Sequence, residues 1–189
     1  MPEITVENVE RFYAILALVA IGFMAIVGGL RLLAIGSDRA LDAYAALARA
    51  VQPRAIAVAW VAALLATAGS LYFSEVAGFT PCTLCWYQRI AMYPFVVLLG
   101  VALVRRGRSV TGAPALAAVG AAVAGYHVAL EWVPSIDSGA CAAAAPCTFV
   151  WFREFGIFSL PTLALTAFLL ILTLLLVRDP DAAEDETYR

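Results

Sequence analysis

The chain has 189 residues, of which 63% are hydrophobic and only 14% are charged, and its mean hydropathy is +0.90. Soluble domains are about half apolar and about a quarter charged, so this composition excludes an ordinary soluble domain and indicates an integral membrane protein. The formal net charge of −2 argues against nucleic acid as a partner. The length suits one compact helical bundle.

The first part of the chain predicts one membrane helix followed by one surface helix. Residues 12–35 are long and apolar enough to cross a bilayer. Residues 38–52 carry apolar side chains at helical spacing between charged ones, a pattern typical of a short amphipathic helix lying on a membrane. We therefore treat residues 1–54 as an N-terminal extension.

Four more apolar segments predict the main body of the protein. They cover residues 55–73, 86–104, 113–130 and 158–177. We predict a four-helix redox core over residues 55–177 and an acidic cytoplasmic tail over residues 178–189. The expected fold class is thus an all-α integral membrane protein. It has a four-helix transmembrane bundle, one additional N-terminal transmembrane helix and the short amphipathic helix.

Arginine placement predicts the orientation. With five spans, the basic residues around the first, third and fifth helix ends fall on one side: Arg31, Arg39, Arg49, Arg54, Arg105, Arg106, Arg108 and Arg178. The positive-inside rule makes that side the cytoplasm. The N-terminus and both cysteine-containing segments are then expected outside, and the C-terminus inside.

All four cysteines lie in two segments between predicted spans. Cys82 and Cys85 immediately precede the third span, and a close pair at a helix start can cycle between dithiol and disulfide. We expect Cys85 in the first helical turn, where free backbone N–H groups and the helix dipole favour a thiolate. Arg89 lies one turn further along the same face and adds positive charge.

Cys141 and Cys147 are separated by five residues and can approach within disulfide range. Such a bridge either braces the loop or takes part in thiol–disulfide exchange, and the spacing leaves both open. In the second case an external protein dithiol would attack this bridge, and Cys82–Cys85 would reoxidise it. The electrons would then need an acceptor within the membrane, and a lipid-soluble quinone near Cys85 fits that location.

His127 is the single histidine and lies near the outer end of the fourth predicted span, one helical turn before Glu131. Polar side chains at this depth are costly when they face lipid. His127 is therefore a candidate for hydrogen bonding to a quinone carbonyl or for carrying protons. The alternative is an ordinary hydrogen bond between helices.

Two stretches resemble a known family. Residues 81–89, Pro-Cys-Thr-Leu-Cys-Trp-Tyr-Gln-Arg, resemble the signature of the disulfide bond formation protein B family (DsbB/BdbC-like), and residues 147–161 resemble its compact BdbC-like branch. The resemblance covers about residues 55–177. It implies a four-helix bundle in a bacterial inner membrane. It also implies that a quinone (ubiquinone or menaquinone) accepts electrons from a DsbA-like, thioredoxin-fold dithiol oxidase.

The resemblance also implies roles for residues at matching positions. Cys85 would be the cysteine nearest the quinone, with Cys82 as its disulfide partner. Arg89 matches an arginine that contacts the quinone, and His127 falls where some members place a histidine near it. Residues 1–54 lie outside the usual four-helix core.

The resemblance also implies roles for the second cysteine pair, Cys141 and Cys147. Cys141 would form the mixed disulfide with the partner protein, and Cys147 would exchange with Cys82. The expected function is therefore a membrane thiol–disulfide oxidoreductase that supports disulfide formation in exported proteins.

Three other interpretations remain open. The same scaffold can run in reverse and deliver electrons outward. A membrane protein can also use all four cysteines as a closed metal site, although the second pair is spaced more widely than zinc sites prefer. The last interpretation is a non-catalytic scaffold whose disulfides only brace its loops.

Overall fold

The computed structural model describes residues 5–105, 110–137, 139, 141 and 145–177. In this part of the chain there are six α-helices: α1 (Val6–Leu33), α2 (Asp38–Val51), α3 (Ala55–Leu71), α4 (Thr83–Val104), α5 (Ala113–Trp132) and α6 (Leu160–Leu176). The predicted acidic tail 178–189 lies outside the described residues. The same is true of three of the arginines that predicted the orientation, Arg106, Arg108 and Arg178.

The helices confirm the predicted membrane class. By length and composition, four helical segments can cross a bilayer, namely Val6–Leu33, Asp38–Val76, Thr83–Val104 and Ala113–Trp132. The apolar helix α6 has 17 residues and rises about 26 Å at 1.5 Å per residue, at the lower end of what spans a membrane. The expected all-α bundle, with its extra N-terminal helix and short amphipathic helix, is therefore present.

The two N-terminal helices are bounded by local signals. The first helix, α1, begins six residues before the predicted span, because Thr5 caps it and its Oγ1 accepts a hydrogen bond from the Asn8 N–H at 3.4 Å. A 3₁₀ turn at Gln52–Arg54, containing Pro53, joins α2 to α3. This turn keeps the helical segment Asp38–Val76 nearly continuous, whereas the sequence predicted a surface helix over residues 38–52 and a separate span over residues 55–73.

Helices α3 to α6 pack around one apolar core. Its fully buried side chains come from all four helices: Ala59, Ala63, Phe95, Leu99, Ala117, Ala124, Phe168 and Ile171. Small residues let the helices approach closely. At Gly120 on α5, for example, a Cβ atom would overlap the Phe168 ring of α6. The Trp60 indole N–H also donates to the Val96 carbonyl at 2.9 Å and links α3 to α4.

The first helix lies against this bundle rather than apart from it. It packs along α6 and α2, and its Ala14 and Ala17 are buried beside Phe158. The Tyr13 hydroxyl donates to the Leu65 carbonyl of α3 at 2.9 Å. Thus α1 is attached to both α3 and α6.

Both cysteine segments come to the same end of the bundle. After α3 the chain makes a π-helical turn at Tyr72–Val76 and bends at Gly78, whose φ of +74° suits glycine. The long connection between α5 and α6 folds over this bend. The rings of Phe79 and Trp151 stack there with centroids 4.6 Å apart. The stack holds the second cysteine loop above the start of α4.

Candidate redox site

Cys82 and Cys85 form a close thiol pair at the start of α4. Cys82 is the N-cap residue, with an extended backbone, and its sulfur accepts a hydrogen bond from the Cys85 N–H at 3.3 Å. The two sulfurs lie 2.9 Å apart and both cysteines are free thiols. Cys85 lies in the first turn of the helix, as the sequence predicted.

The contacts that stabilise a thiolate converge on Cys82, whereas the sequence argument assigned the thiolate to Cys85. A hydrogen bond from the Cys85 thiol, assisted by His127, lowers the pKa of Cys82 from 9.0 to about 4, although burial opposes the shift. The reason is geometric. A sulfur at the N-cap faces both the free N–H groups of the first turn and the Cys85 S–H, so it receives several donors at once.

Cys141 and Cys147 form the disulfide that their spacing allows, with Cα atoms 5.8 Å apart. Cys147 is buried, with 1% of its surface exposed, whereas Cys141 is partly exposed. A closed site of four thiolates requires four free sulfurs, and in this structure the bridge uses two of them.

His127 lies between the two cysteine pairs. Its Nδ1 is 3.0 Å from the Gln88 side-chain nitrogen, and its Nε2 is 3.1 Å from the Cys147 carbonyl oxygen. Because the Gln88 amide donates to Nδ1, the proton of the neutral imidazole belongs on Nε2. That N–H donates to the carbonyl and also faces the Cys82 sulfur at 3.7 Å.

The sulfurs of the two pairs are close to each other. The sulfurs of Cys82 and Cys147 and a ring nitrogen of His127 all lie within 4.8 Å of one another. All three residues are buried. This is the place where a bond between the two cysteine pairs can form with little movement.

A small cavity of about 230 Å³ borders this junction. Its walls include Cys82, Cys85, His127 and Glu131, so the histidine and the glutamate, one helical turn apart, border the same space. The Ser159 hydroxyl donates to the Glu131 carboxylate at 2.5 Å.

A larger cavity of about 610 Å³ lies between α1, α3, α4 and α6. Cys85 and Arg89 line it, as does Ser70. The Arg89 guanidinium donates through Nε to the Ser70 hydroxyl and through Nη2 to the Ser70 carbonyl, each at 2.9 Å. It also lies 5.1 Å from the centroid of the Trp86 ring. These contacts hold a positive group at one end of a largely apolar cavity.

The structure thus divides the predicted site residues between two places. Cys85 and Arg89 line the large cavity, whereas His127 lines the small one beside Cys82. Cys141 and Cys147 belong to the bridge above that junction.

Sequence reasoning missed Gln88 and Ser70. Gln88 is buried, lines the large cavity and hydrogen-bonds to His127, so it connects the two places. A glutamine inside a membrane helix is costly unless it is paired, and this signal could have identified it. Ser70 carries no such signal, because serine is common in membrane helices.

Comparison with known proteins identifies the family. The sequence profile described as "Disulfide bond formation protein DsbB" matches residues 52–178. "Probable disulfide formation protein C 1" of Bacillus cereus is 43% identical over 122 residues, which cover 64% of this chain and 88% of that protein. "Disulfide bond formation protein C" of Bacillus subtilis is 43% identical over 115 residues, which cover 60% of this chain and 83% of that protein. No solved structure matches. The profile spans more than half of the chain and contains both cysteine pairs, so the chain belongs to the DsbB family of disulfide bond formation proteins.

Proposed function

We propose that the protein is a protein-dithiol:quinone oxidoreductase of the bacterial plasma membrane. It reoxidises an extracytoplasmic, DsbA-like thioredoxin-fold dithiol oxidase and so supports disulfide formation in exported proteins. One observation carries this proposal: the Cys82 sulfur lies 2.9 Å from that of Cys85 and within 4.8 Å of that of Cys147. One sulfur can therefore exchange bonds with both pairs.

The first exchange takes place at the loop disulfide. A thiolate of the partner attacks the more exposed sulfur, Cys141, and the Cys141–Cys147 bond breaks with its electron pair going to Cys147. The partner's second thiolate then attacks the partner sulfur of the mixed disulfide. The partner leaves oxidised, and the loop keeps two electrons as a dithiol.

The second exchange returns the loop to its disulfide form. The Cys147 thiolate attacks Cys82 in a Cys82–Cys85 disulfide, so a Cys82–Cys147 bond forms and the electron pair of the broken bond goes to Cys85. The Cys141 thiolate then attacks Cys147 and releases Cys82 as a thiolate. The products are a loop disulfide and a reduced Cys82–Cys85 pair, which is the state of the structure.

The environment of Cys82 suits the departure of this thiolate. A thiol of low pKa leaves faster, and the contacts described above lower the pKa of Cys82 to about 4. His127 donates toward this sulfur from the small cavity. We therefore assign His127 to the exchange between the pairs rather than to the acceptor.

The large cavity fits a lipid-soluble quinone, which supplies a two-electron, two-proton acceptor when bound. Its volume of about 610 Å³ lies within the usual range for small-molecule sites, which are mostly apolar with a few polar groups. Cys85 brings a sulfur to the wall of this cavity. Arg89, held by Ser70, places positive charge at the same end to orient a polar headgroup.

The test is quinone reduction by the purified protein, with a reduced thioredoxin-fold dithiol oxidase as electron donor. We expect turnover in the wild type and background rates in Cys85→Ser and Cys141→Ser. With dithiothreitol as donor, Cys141→Ser should recover turnover, because a small dithiol can reduce Cys82–Cys85 directly. Cys85→Ser should stay inactive with both donors.

Two results would contradict this proposal. If Cys141→Ser retains partner-driven turnover, the loop disulfide only braces the loop. If the wild type reduces neither ubiquinone nor menaquinone with any donor, the protein is not a quinone reductase.

A further inference from the structure

The large cavity extends far beyond Cys85 and Arg89. Along α3 its lining runs from Ser70, which binds Arg89, through Val58 to Arg54 at the other end of the helix. At 1.5 Å per residue this stretch of chain rises about 24 Å, most of the roughly 30 Å hydrocarbon core of a bilayer. In the proposed function a quinone headgroup takes only the end near Arg89, so the remainder is available for another part of the ligand.

One wall of this long cavity is made by α1. Tyr13, Leu16, Ala17, Ala20 and Phe23 all line it. These residues precede residue 52, where the match to the family begins. The wall therefore belongs to this chain's N-terminal extension and not to the matched core.

The position of α1 is set by specific contacts. The Tyr13 hydroxyl donates to the Leu65 carbonyl, and the Tyr13 ring lies so close to Gly69 that a Cβ there would be 2.6 Å from its Cζ. On the other side, Ala17 is buried beside Phe158 and Leu163. Thus α1 is held against α3 and α6 at the end of the cavity nearest Arg89.

The middle of the cavity has the properties of a hydrocarbon site. Ala20 of α1, Ala62 and Ala66 of α3, and Ala167 of α6 line it with small apolar side chains that leave space between the helices. Val19 of α1 also lines the cavity, and 67% of its surface is exposed. The cavity is therefore open to the surroundings at this residue, so a long chain can enter sideways from the membrane.

We propose that α1, α3 and α6 together hold the isoprenoid tail of a polyprenyl quinone, and that the N-terminal helix gives the protein its preference for long-tailed acceptors. This inference rests on the proposed function, because it places the headgroup at Cys85 and Arg89. The tail then follows α3 away from Arg89 toward Arg54. Burying an apolar chain along this path contributes binding energy roughly in proportion to the buried area.

The test compares two quinones with the same headgroup, one with a long polyprenyl tail and one with a single isoprene unit. Their binding to the purified full-length protein is measured by thermal stabilisation, which depends on the ratio of ligand concentration to Kd. Ala20→Leu should weaken binding of the long-tailed quinone about tenfold, equivalent to 1.4 kcal/mol, and leave the short-tailed one unchanged. The matched control is Ala25→Leu, an exposed position on the same helix, and it should change neither.

A second pair of variants repeats the test from α3. Ala62→Leu narrows the cavity from the opposite wall, whereas Ala68→Leu adds the same volume at an exposed position outside the cavity. Dithiothreitol-driven reduction of the short-tailed quinone should be normal in the two control variants, Ala25→Leu and Ala68→Leu. Far-ultraviolet circular dichroism of all four variants should match that of the wild type, which shows that each variant is folded.

The possible failures are distinguishable. Equal affinity of the wild type for both quinones, or equal weakening of both by Ala20→Leu, would overturn the tail site and leave the proposed function intact. The tail site would also be overturned, with the proposed function intact, if phospholipid stabilises the protein and a long-tailed quinone does not displace the phospholipid. Binding of neither quinone would overturn the proposed function itself.

Discussion

The two cavities that meet at Cys85 differ in composition, in the helices that form them and in the chemistry they allow. The larger cavity is walled by α1, α3, α4 and α6 and is mostly apolar, with Arg89 at one end. The smaller one lies under the second cysteine loop and contains Cys82, His127 and Glu131. In the part of the chain that the structure describes, Cys85 is the cysteine that lines both.

Under the proposed function, this difference would let one helix start serve two kinds of partner. Thiol exchange needs a stabilised thiolate and a polar environment that is shielded from solvent. The smaller cavity provides both at Cys82. A lipid-soluble ligand needs an apolar path from the membrane, which the larger cavity provides. Gln88 connects the two cavities, because it lines the larger one and hydrogen-bonds to His127 in the smaller one.

The largest expected effect concerns the thiolate in the smaller cavity. The Cys85 thiol is the main cause of the low pKa of Cys82, so Cys85→Ala should raise that pKa toward its ordinary value of 9.0. His127→Phe should raise it less, because the histidine is a weaker contributor. In the reduced wild type, ultraviolet thiolate absorbance should persist down to about pH 4, the pKa of Cys82.

The same pKa predicts how stability depends on pH. The folded pKa of Cys82 lies below its ordinary value of 9.0, so its thiolate stabilises the folded protein. This contribution to the free energy of unfolding is fully present above about pH 9 and is lost as the pH falls toward 4. The bridged cysteines Cys141 and Cys147 do not titrate, so they do not contribute to the ultraviolet thiolate absorbance. A Cys85→Ala protein with the wild-type titration would show that the two sulfurs do not interact in this way.

A smaller effect tests which end of the larger cavity binds the headgroup. Arg89→Ala should raise the KM for quinone about tenfold, a loss of about 1.4 kcal/mol, with the protein still folded. Arg89→Lys should be intermediate, since lysine keeps the charge but not the two-point attachment to Ser70. Arg54→Ala is the matched control, because Arg54 lines the opposite end of the same cavity. A larger effect of Arg54→Ala than of Arg89→Ala would reverse the orientation of the ligand.

The smallest effect tests the wall that α1 adds. In Gly69→Ala the new Cβ meets the tip of the Tyr13 ring, so the ring tip must move away from α3. We expect a loss of about 1 kcal/mol in the free energy of unfolding, at the lower end for overpacking, because the ring tip can move. The double variant with Tyr13→Ala should recover this loss in a double-mutant cycle. Purely additive losses would show that Tyr13 does not press against α3 as described.

The sequence by itself determined the class of the protein and much of its local structure. Hydropathy and length predicted the spans, since a membrane helix must satisfy its backbone internally and be apolar along its length. The positions of Cys82, Cys85 and Arg89 followed from helix periodicity. The Cys141–Cys147 bridge was allowed by short-range spacing. All of these depend on neighbouring residues in the chain.

The tertiary structure decided what depends on helices packing side by side. Which cysteine receives the thiolate-stabilising contacts depends on the N-cap geometry of Cys82 and on His127, which lies 45 residues away. The placement of His127 in the smaller cavity depends on how α5 faces α4. The role of Gln88 and the α1 wall of the larger cavity likewise arise from contacts between distant segments. Hydrophobic periodicity marks which faces are apolar, but it does not tell which helix will cover each face or where a space will remain between them.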